Sequence, residues 1–388
     1  AIKGAMQRSP YTPGSIAPVV YGREALLRDA RRDLAFMKEF PELKGRLEIF
    51  VGSRGVGKTS LLRTIENDAR SLGFDTCWIT SGDGPFLSAL VEALDTLSRD
   101  WQDAAREQLA RVLRNLSVTV GGVKFTGASD AEPREVSSLG RVVQQTLQKA
   151  AEGTTSPGLV LLIDEIQAAD ADGLRALAYA WQHLQSEAPG LPLMTFCAGL
   201  THSQDVITDA VSFAERFRYR QLENLDPEAS RAALEEPALA RGVHWTPEAL
   251  DIALTLAAGY PYFLQVIGDE AWKAANYPDP GEVIDAPHVS EANSQFREVQ
   301  RIFFRSRWMK ATPLEQEFMA AMAAEGGAPA RRGEIAERMG RTTQSISMVR
   351  RSLMDKGLID APAHGYVEFT APGFAEFVRR EADHAAGG

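Results

Sequence analysis

The sequence predicts an α/β protein: a parallel sheet covered by helices, then a small all-helical unit, then a C-terminal winged helix-turn-helix. Three observations lead there. Apolar runs at residues 47–51, 159–163 and 193–198, the second of them uninterrupted, alternate with helical stretches, as strands buried on both faces do. The strand signal stops at Asp226, after which proline-led helices take over. The last hundred residues then read helix, turn, helix and two strands.

The elements follow in order. After an opening rich in Pro and Gly, residues 23–40 place Leu26, Leu27, Ala30, Leu34 and Met37 at helical spacing. The strand at 47–51 runs into a glycine-rich turn and a helix over 59–71. Residues 74–80 read as a second strand and 85–116 as helix. Residues 117–126 alternate around Gly121-Gly122, which predicts a hairpin, and polar 127–138 predicts an exposed loop. Helices at 139–152 and 172–187 flank the strand at 159–163, and the strand at 193–198 closes the pattern. Asp226-Pro227 and Thr246-Pro247 each set an N-cap before a proline at the first helical position. They predict helices over 227–241 and 247–258, with a third over 262–275. Residues 278–287 have linker composition, and 290–310 carries Phe296, Val299, Ile302 and Phe303 at helical spacing. The expected domains are an N-terminal tail (1–17), a core (18–222), a helical unit (223–288), and a linker helix with the winged helix (289–388).

Composition bounds the function. A chain of 388 residues is long enough for two or three domains. Forty-two basic against 52 acidic residues give a net charge of −10, which excludes a chain that is basic throughout but allows a local basic face. Two cysteines cannot build a disulfide framework, and the expectation is a reducing, cytoplasmic setting. The six histidines show no metal-ligand spacing with each other or with Cys77 and Cys197. The stretch 252–268 is nearly free of charge, but Gly259 and Pro261 interrupt it and it is short for a membrane span, so no membrane partner is expected. No basic-then-apolar signal pattern opens the chain, and Ala1 to Ala5, ahead of Met6, are expected to be an appended remnant.

The strongest motif is Gly52-Ser53-Arg54-Gly55-Val56-Gly57-Lys58-Thr59, followed by Ser60, which fits G-x-x-x-x-G-K-[ST] between a strand and a helix. Glycines let successive backbone N–H groups curl around phosphates, and the helix N-terminus adds its positive dipole end. Lys58 would reach the β- and γ-phosphates, and the Thr59 hydroxyl would ligate Mg²⁺. A second strand should end in acid. Leu159-Val160-Leu161-Leu162-Ile163-Asp164-Glu165 supplies it, and a carboxylate pair after an apolar run is costly unless a cation compensates. Asp164 would hold the Mg²⁺ shell, and Glu165 would orient and deprotonate the attacking water. The expected cofactors are therefore ATP or ADP with Mg²⁺.

With these motifs the chain resembles the AAA+ and STAND-type P-loop ATPases, especially the branch with origin-recognition-like and archaeal-type switch ATPases. The resemblance covers roughly residues 19–275, and the winged-helix tail extends it. It implies a P-loop NTPase core whose helical unit is a lid over the nucleotide. Val20-Tyr21-Gly22-Arg23-Glu24 looks like the motif that lines the adenine pocket in these families, which implies contacts from Gly22 and Arg23. Gly259-Tyr260-Pro261 resembles the Gly-x-Pro of STAND lids and implies a nucleotide contact at Pro261. That segment carries no arginine of the kind by which many AAA+ lids sense the γ-phosphate. The strand at 193–198 also lacks the usual polar sensor at its end. Arg216, or failing it Arg218, would reach the γ-phosphate of a neighbouring subunit, so the resemblance implies an ATP-dependent homo-oligomer. A basic strand edge paired with local acids is the alternative for these arginines.

The C-terminal unit reads as helices at 313–324, 332–339 and 343–356, then two strands within 358–369 joined by a wing. The third helix opens on Thr342, Thr343, Gln344 and Ser345 and then offers Ser347, Arg350 and Arg351, groups suited to a groove and its phosphates. Seven basic residues between 331 and 356 (Arg331, Arg332, Arg338, Arg341, Arg350, Arg351, Lys356) face three acids (Glu334, Glu337, Asp355), so the acidic excess lies elsewhere. Double-stranded DNA is the expected partner. Two functions stay open: an ATP-hydrolysing switch, slow in turnover, that couples nucleotide state to DNA binding, and a signalling or scaffold ATPase whose winged helix makes protein–protein or intramolecular contacts.

Overall fold

Burial on both faces, not alternation, marks the strands of the first unit. In this computed structural model, which describes residues 7–121, 136–211, 216–324 and 326–386, helix α1 (Glu24–Glu39) precedes β1 (Leu47–Gly52), α2 (Lys58–Ser71) and β2 (Asp75–Thr80). Helices α3 (Phe86–Leu97), α4 (Asp103–Gly121) and α5 (Val136–Gly153) lead to β3 (Leu159–Asp164), α6 (Ala171–Glu187), β4 (Leu193–Gly199), α7 (Ser203–Ala210) and β5 (Phe217–Leu222). The sheet order is β2-β3-β4-β1-β5, with β2, β3, β4 and β1 mutually parallel. Every residue of β3 and β4 is buried, as their apolar runs require. The parallel register, with Thr80 opposite Asp164 and Val51 opposite Gly199, brings the carboxyl ends of these strands to one edge. Ligands of open α/β sheets bind at that edge.

Two expectations change here. The helix expected over 85–116 is interrupted by a short 3₁₀ turn at Ser98–Asp100, where the Ser98 hydroxyl donates to the Asp95 carbonyl at 2.9 Å. The hairpin expected at 117–126 does not begin at Ser117, because α4 runs on to Gly121. Leu109, Leu113 and Leu116 are buried along one face of α4, so helical packing wins there over local alternation. The remainder of that expectation, and the expected loop up to residue 135, lie outside the described residues.

The second unit joins residues 7–22, the loop 53–57 and the described residues from 222 onward. Its helices α8 (Pro227–Leu239) and α9 (Pro247–Ala257) start as the sequence predicts. The Asp226 carboxylate accepts from the Ala229 amide at 2.8 Å, and the Thr246 hydroxyl accepts from Ala249 at 3.2 Å. Between them lies β6 (His244–Trp245). Helix α10 (Pro261–Ala274) follows, then β7 (Val283–Ile284), which pairs in parallel with β6 inside the stretch expected to be a linker. Strands of two residues are too short to leave a periodic signal. A capping box between Asp285 and His288 starts α11 (Ala286–Met309), and another between Thr312 and Glu315 starts α12 (Pro313–Ala323). Tyr11 is built into this core: its hydroxyl donates to the Leu234 carbonyl and accepts from the Trp245 indole at 2.9 Å.

The chain ends in β8 (Ala330–Arg331), α13 (Arg332–Arg338), α14 (Ser347–Asp355), β9 (Ile359–Asp360), β10 (Tyr366–Phe369) and α15 (Phe374–Ala386). The three strands form an antiparallel sheet in the order β8-β10-β9. Helix α14 starts four residues later than the pattern predicts. The Thr342 hydroxyl accepts from the Ser345 amide at 3.2 Å while the Ser345 hydroxyl donates to the Thr342 carbonyl at 2.8 Å, and this local pair holds a turn ahead of the helix. Neither β8 nor α15 has a counterpart among the sequence expectations.

Candidate functional site

At the carboxyl edge of the sheet, β1 ends at Gly52 and α2 begins at Lys58. Lys58 is buried, and its ammonium donates to the Gly52 carbonyl at 3.0 Å. One residue on, the Thr59 hydroxyl donates to Asp164 Oδ2 at 2.8 Å, joining groups 105 positions apart in the chain. Asp164 is the last residue of β3. Burial pushes its carboxyl above the ordinary range, the Thr59 hydrogen bond opposes this, and the neighbouring Glu165 charge adds to it. A carboxylate held in this way gains from a cation beside it. A hydroxyl and a buried carboxylate are hard oxygen donors, and Mg²⁺ is usually held by one or two carboxylates plus substrate phosphates and water. Thr59 and Asp164 fit that role. Among the described residues no group of three or more His, Cys, Asp and Glu could hold a metal unaided.

Glu165 stands in the left-handed region, φ 54° and ψ 42°, a strained conformation for a residue with a side chain. Its amide donates to Asp164 Oδ1 at 3.0 Å, and its carboxylate accepts from the Gln167 side chain. Gln167 in turn accepts from the Leu200 amide, just past β4, at 2.9 Å. Gln167 thus ties Glu165 to the end of a second strand. The sequence reading missed it, because a Gln two positions past an acid carries no signal of its own.

In the other unit the loop 53–57 shows why its glycines are glycines. Gly55 and Gly57 have φ of 81° and 95°, and a Cβ on Gly55 would lie 2.5 Å from the Tyr260 hydroxyl. Tyr260, immediately before α10, donates that hydroxyl to the Arg54 carbonyl, and burial pushes its pKa up to about 12, so it stays a donor. Pro261 occupies the first position of α10, and the Gly259 carbonyl accepts from the Leu225 amide at 2.8 Å. Gly22 packs against Ala229 of α8. In the sheet unit, Arg23 is buried at the N-cap of α1. Val56 is buried, while Ser53 and Ser60 are half-buried.

Residues 20–195 match the family model for the AAA ATPase domain. Over those residues the chain is similar to an AAA ATPase domain. Residues 301–378 match a second family model, described as a domain of unknown function. No curated protein matches the chain. Among solved structures, the chain is similar to the Walker-type ATPase PABY2304 of Pyrococcus abyssi, at 15% identity and a TM-score of 0.59, over 95% of this chain and 98% of that one. It is also similar to the ORC2 protein of Aeropyrum pernix in ADPNP–ADP complexes, at 14% identity and a TM-score of 0.60, over 97% of each chain. At such identity the likeness is one of fold. No helix among the described residues is long and apolar enough to cross a membrane.

The sheet unit holds Arg216, just before β5, and the β5 arginines against its own groups. The Arg216 guanidinium donates to the Gln185 side chain. Arg218 lies 3.8 Å from Glu48, while Arg220 lies 2.8 Å from Asp29 and 3.7 Å from Glu48. Burial raises the Glu48 carboxyl, and Arg218 and Arg220 pull it back. In the C-terminal region, Arg341, Thr343, Gln344 and Ser345 are exposed, while Ser347, Arg350 and Arg351 are half-exposed. Arg341 lies 4.0 Å from Glu317 and Arg351 3.5 Å from Asp355. The fold brings Lys58, Thr59, Asp164 and Glu165 together. Arg341, Thr343, Gln344 and Ser345 precede α14, and Ser347, Arg350 and Arg351 lie in its first turns.

Proposed function

We propose that the chain is a switch ATPase that binds ATP with Mg²⁺, hydrolyses it slowly, and couples nucleotide state to double-stranded DNA binding through its C-terminal winged helix. The observation that carries the nucleotide half is the Thr59–Asp164 hydrogen bond at 2.8 Å with Lys58 and Glu165 beside it. In this reading the amides of the loop 53–57 and Lys58 bind the phosphates, and Gly22, Arg23 and Pro261 contribute nucleotide contacts. Thr59 and Asp164 would hold Mg²⁺, which neutralises phosphate charge as the bond to the leaving group breaks. Glu165 orients a water and takes its proton, and Gln167 keeps the Glu165 carboxylate aimed. An arginine supplied by a neighbouring subunit, Arg216 or Arg218, would raise turnover about 10³–10⁵-fold, so activity depends on an ATP-dependent homo-oligomer. Arg341, Thr343, Gln344, Ser345, Ser347, Arg350 and Arg351 form the proposed DNA face. A single set of phosphate contacts gives affinity of only about 10⁻⁴–10⁻⁶ M, so assembly and DNA binding support each other.

One observation favours the second reading, in which the winged helix is an intramolecular latch. Arg54 of the phosphate loop donates from Nε to the carbonyl of Lys356, the residue that closes α14, at 3.2 Å. Gel-shift titration of duplex DNA with and without ATP, across a salt series, separates the two. The switch reading expects ATP-dependent retardation that weakens with salt. Absence of any shift at low salt rejects it in favour of the latch.

A further inference from the structure

We propose that the cavity lined by Arg54, Ser306, Arg307, Lys310, Lys356 and Leu358 is a second anion site, taking a small phosphate-type anion of about pyrophosphate size. Four of its six lining residues are cations, and no carboxylate lines it. Its volume, about 300 Å³, is at the small end of ligand pockets, which suits a compact anion and not a long polymer.

Three of the four cations are held in ways that leave donors to offer. Arg307 lies flat on the Phe303 ring, 3.4 Å from its centre, and spends one Nη on the Phe303 carbonyl at 3.0 Å. A guanidinium has five N–H donors in a fixed fork, so the stacked plane keeps others for a bidentate phosphate contact. Arg54 is anchored through Nε on the Lys356 carbonyl at 3.2 Å. Lys356 is steadied by Glu315 at 2.6 Å and by the Lys310 carbonyl at 3.2 Å. Lys310 is exposed at the end of α11. Burial depresses the Arg307 pKa, and the Arg54 charge depresses it further, although Tyr260 opposes this. Like charges gathered over a partly desolvated guanidinium are unfavourable alone and become favourable around an anion. Arg54 belongs to the phosphate loop as well, whereas Ser306, Arg307, Lys310, Lys356 and Leu358 lie outside it.

Free pyrophosphate and the terminal phosphate of a DNA end share this chemistry. The test is calorimetric titration of sodium pyrophosphate into the full chain at fixed ionic strength. The phosphate loop is silenced in two ways, by Lys58→Ala and by saturating the parent with ADP and Mg²⁺. One site of binding is expected in both. Arg307→Gln should weaken it about tenfold or more, as loss of a charge-assisted hydrogen bond does, and Lys310→Gln by a smaller factor. ADP affinity measured on the same two variants with Lys58 intact should not change, which separates failure here from failure at the phosphate loop. Lys310 is exposed, so its variant tests the site even where Arg307→Gln disturbs folding. Competition by a 5′-phosphorylated duplex but not by its unphosphorylated twin assigns the source to a DNA end. Competition by neither assigns it to a free anion. Absence of binding in the silenced proteins, affinity unaltered by both Gln variants, or equal competition by the unphosphorylated duplex overturns the proposal.

Discussion

The phosphate site and the surface around α14 are both built from charged and hydroxyl groups, yet they use opposite physics. Lys58 and Asp164 are buried, and two contacts near them span the chain, Thr59 to Asp164 and Leu200 to Gln167, with the short Gln167–Glu165 bond completing the link. Thr343, Gln344 and Ser345 are exposed, and their nearest ties are local, as in the Thr342–Ser345 pair. A site that steers phosphoryl chemistry must be preorganised in a low-dielectric setting, where each dipole is worth more. A face that reads a groove must leave its donors open to the partner. Substitutions in the first region should therefore move chemistry and stability together. Substitutions in the second should move binding alone.

The largest expected effect is at Glu165. Glu165→Gln keeps size and the Gln167 neighbour but removes the base, and turnover should fall about 10²–10⁴-fold with ATP affinity retained. Steady-state phosphate release alongside calorimetric ATP binding checks this, and turnover equal to the parent removes Glu165 from the mechanism. Next comes Lys58→Ala, which should weaken ATP binding about ten- to hundredfold, the worth of a charge-assisted hydrogen bond. Normal affinity in that variant would undo the phosphate-site assignment altogether.

Asp164→Asn sharpens the contrast, because it should move both stability and function, in opposite directions. The folded carboxyl has its pKa raised above 3.8 by burial, so the stability tied to its protonated form is present below that value and lost as pH rises through the folded pKa. At neutral pH the nucleotide-free Asn variant should therefore melt higher, while losing the extra stability that ATP with Mg²⁺ confers. A variant that melts lower without nucleotide would show that the Thr59–Asp164 pair stabilises the fold on balance.

What the sequence could disclose follows the same division. The turn between β1 and α2 was legible because its glycines stand at fixed spacing, and Gly55 and Gly57 take the positive φ that glycine allows. Asp164 was legible because an acid after five buried residues breaks the pattern of β3. Gln167 was not, since its partners Glu165 and Leu200 meet only through the β3–β4 pairing. The pairing of β6 with β7 and the shortened start of α14 escaped for a related reason. Two-residue strands have no period, and one hydroxyl turn at Thr342 redirects a helix that periodicity alone would extend. The cationic cavity draws on Arg54, Arg307, Lys310 and Lys356, spread over some three hundred positions, so no local window contains it.

On the exposed face the expected effects are smaller. Arg350→Ala combined with Arg351→Ala should lower DNA affinity nearly alike for all sequences and reduce the slope of log affinity against log salt by about 2, one counterion for each phosphate that is no longer neutralised. Thermal stability should stay within about 0.5 kcal/mol of the parent, as for surface changes in general. An unchanged slope in salt-dependent gel shifts would remove both arginines from the DNA face.

The smallest effect tests whether the C-terminal unit contains a buried polar knot of its own, which would blur the contrast. Glu315 caps α12 through the Thr312 amide and accepts from Ser352 and Lys356, all at 2.6 Å. Burial would raise its carboxyl, but Lys356 and Ser352 outweigh that and hold it below 4.5. Because the folded pKa is depressed, the stability it contributes is present above the unfolded value and is lost as pH falls through the folded one. Glu315→Gln should therefore destabilise the protein at neutral pH, and the gap between variant and parent should narrow as pH drops through about 4.5 and below. Thermal denaturation at a series of pH values reads this directly. A gap that stays constant with pH would mean that Glu315 acts by shape and hydrogen bonding alone, leaving charge confined to the exposed side of this unit.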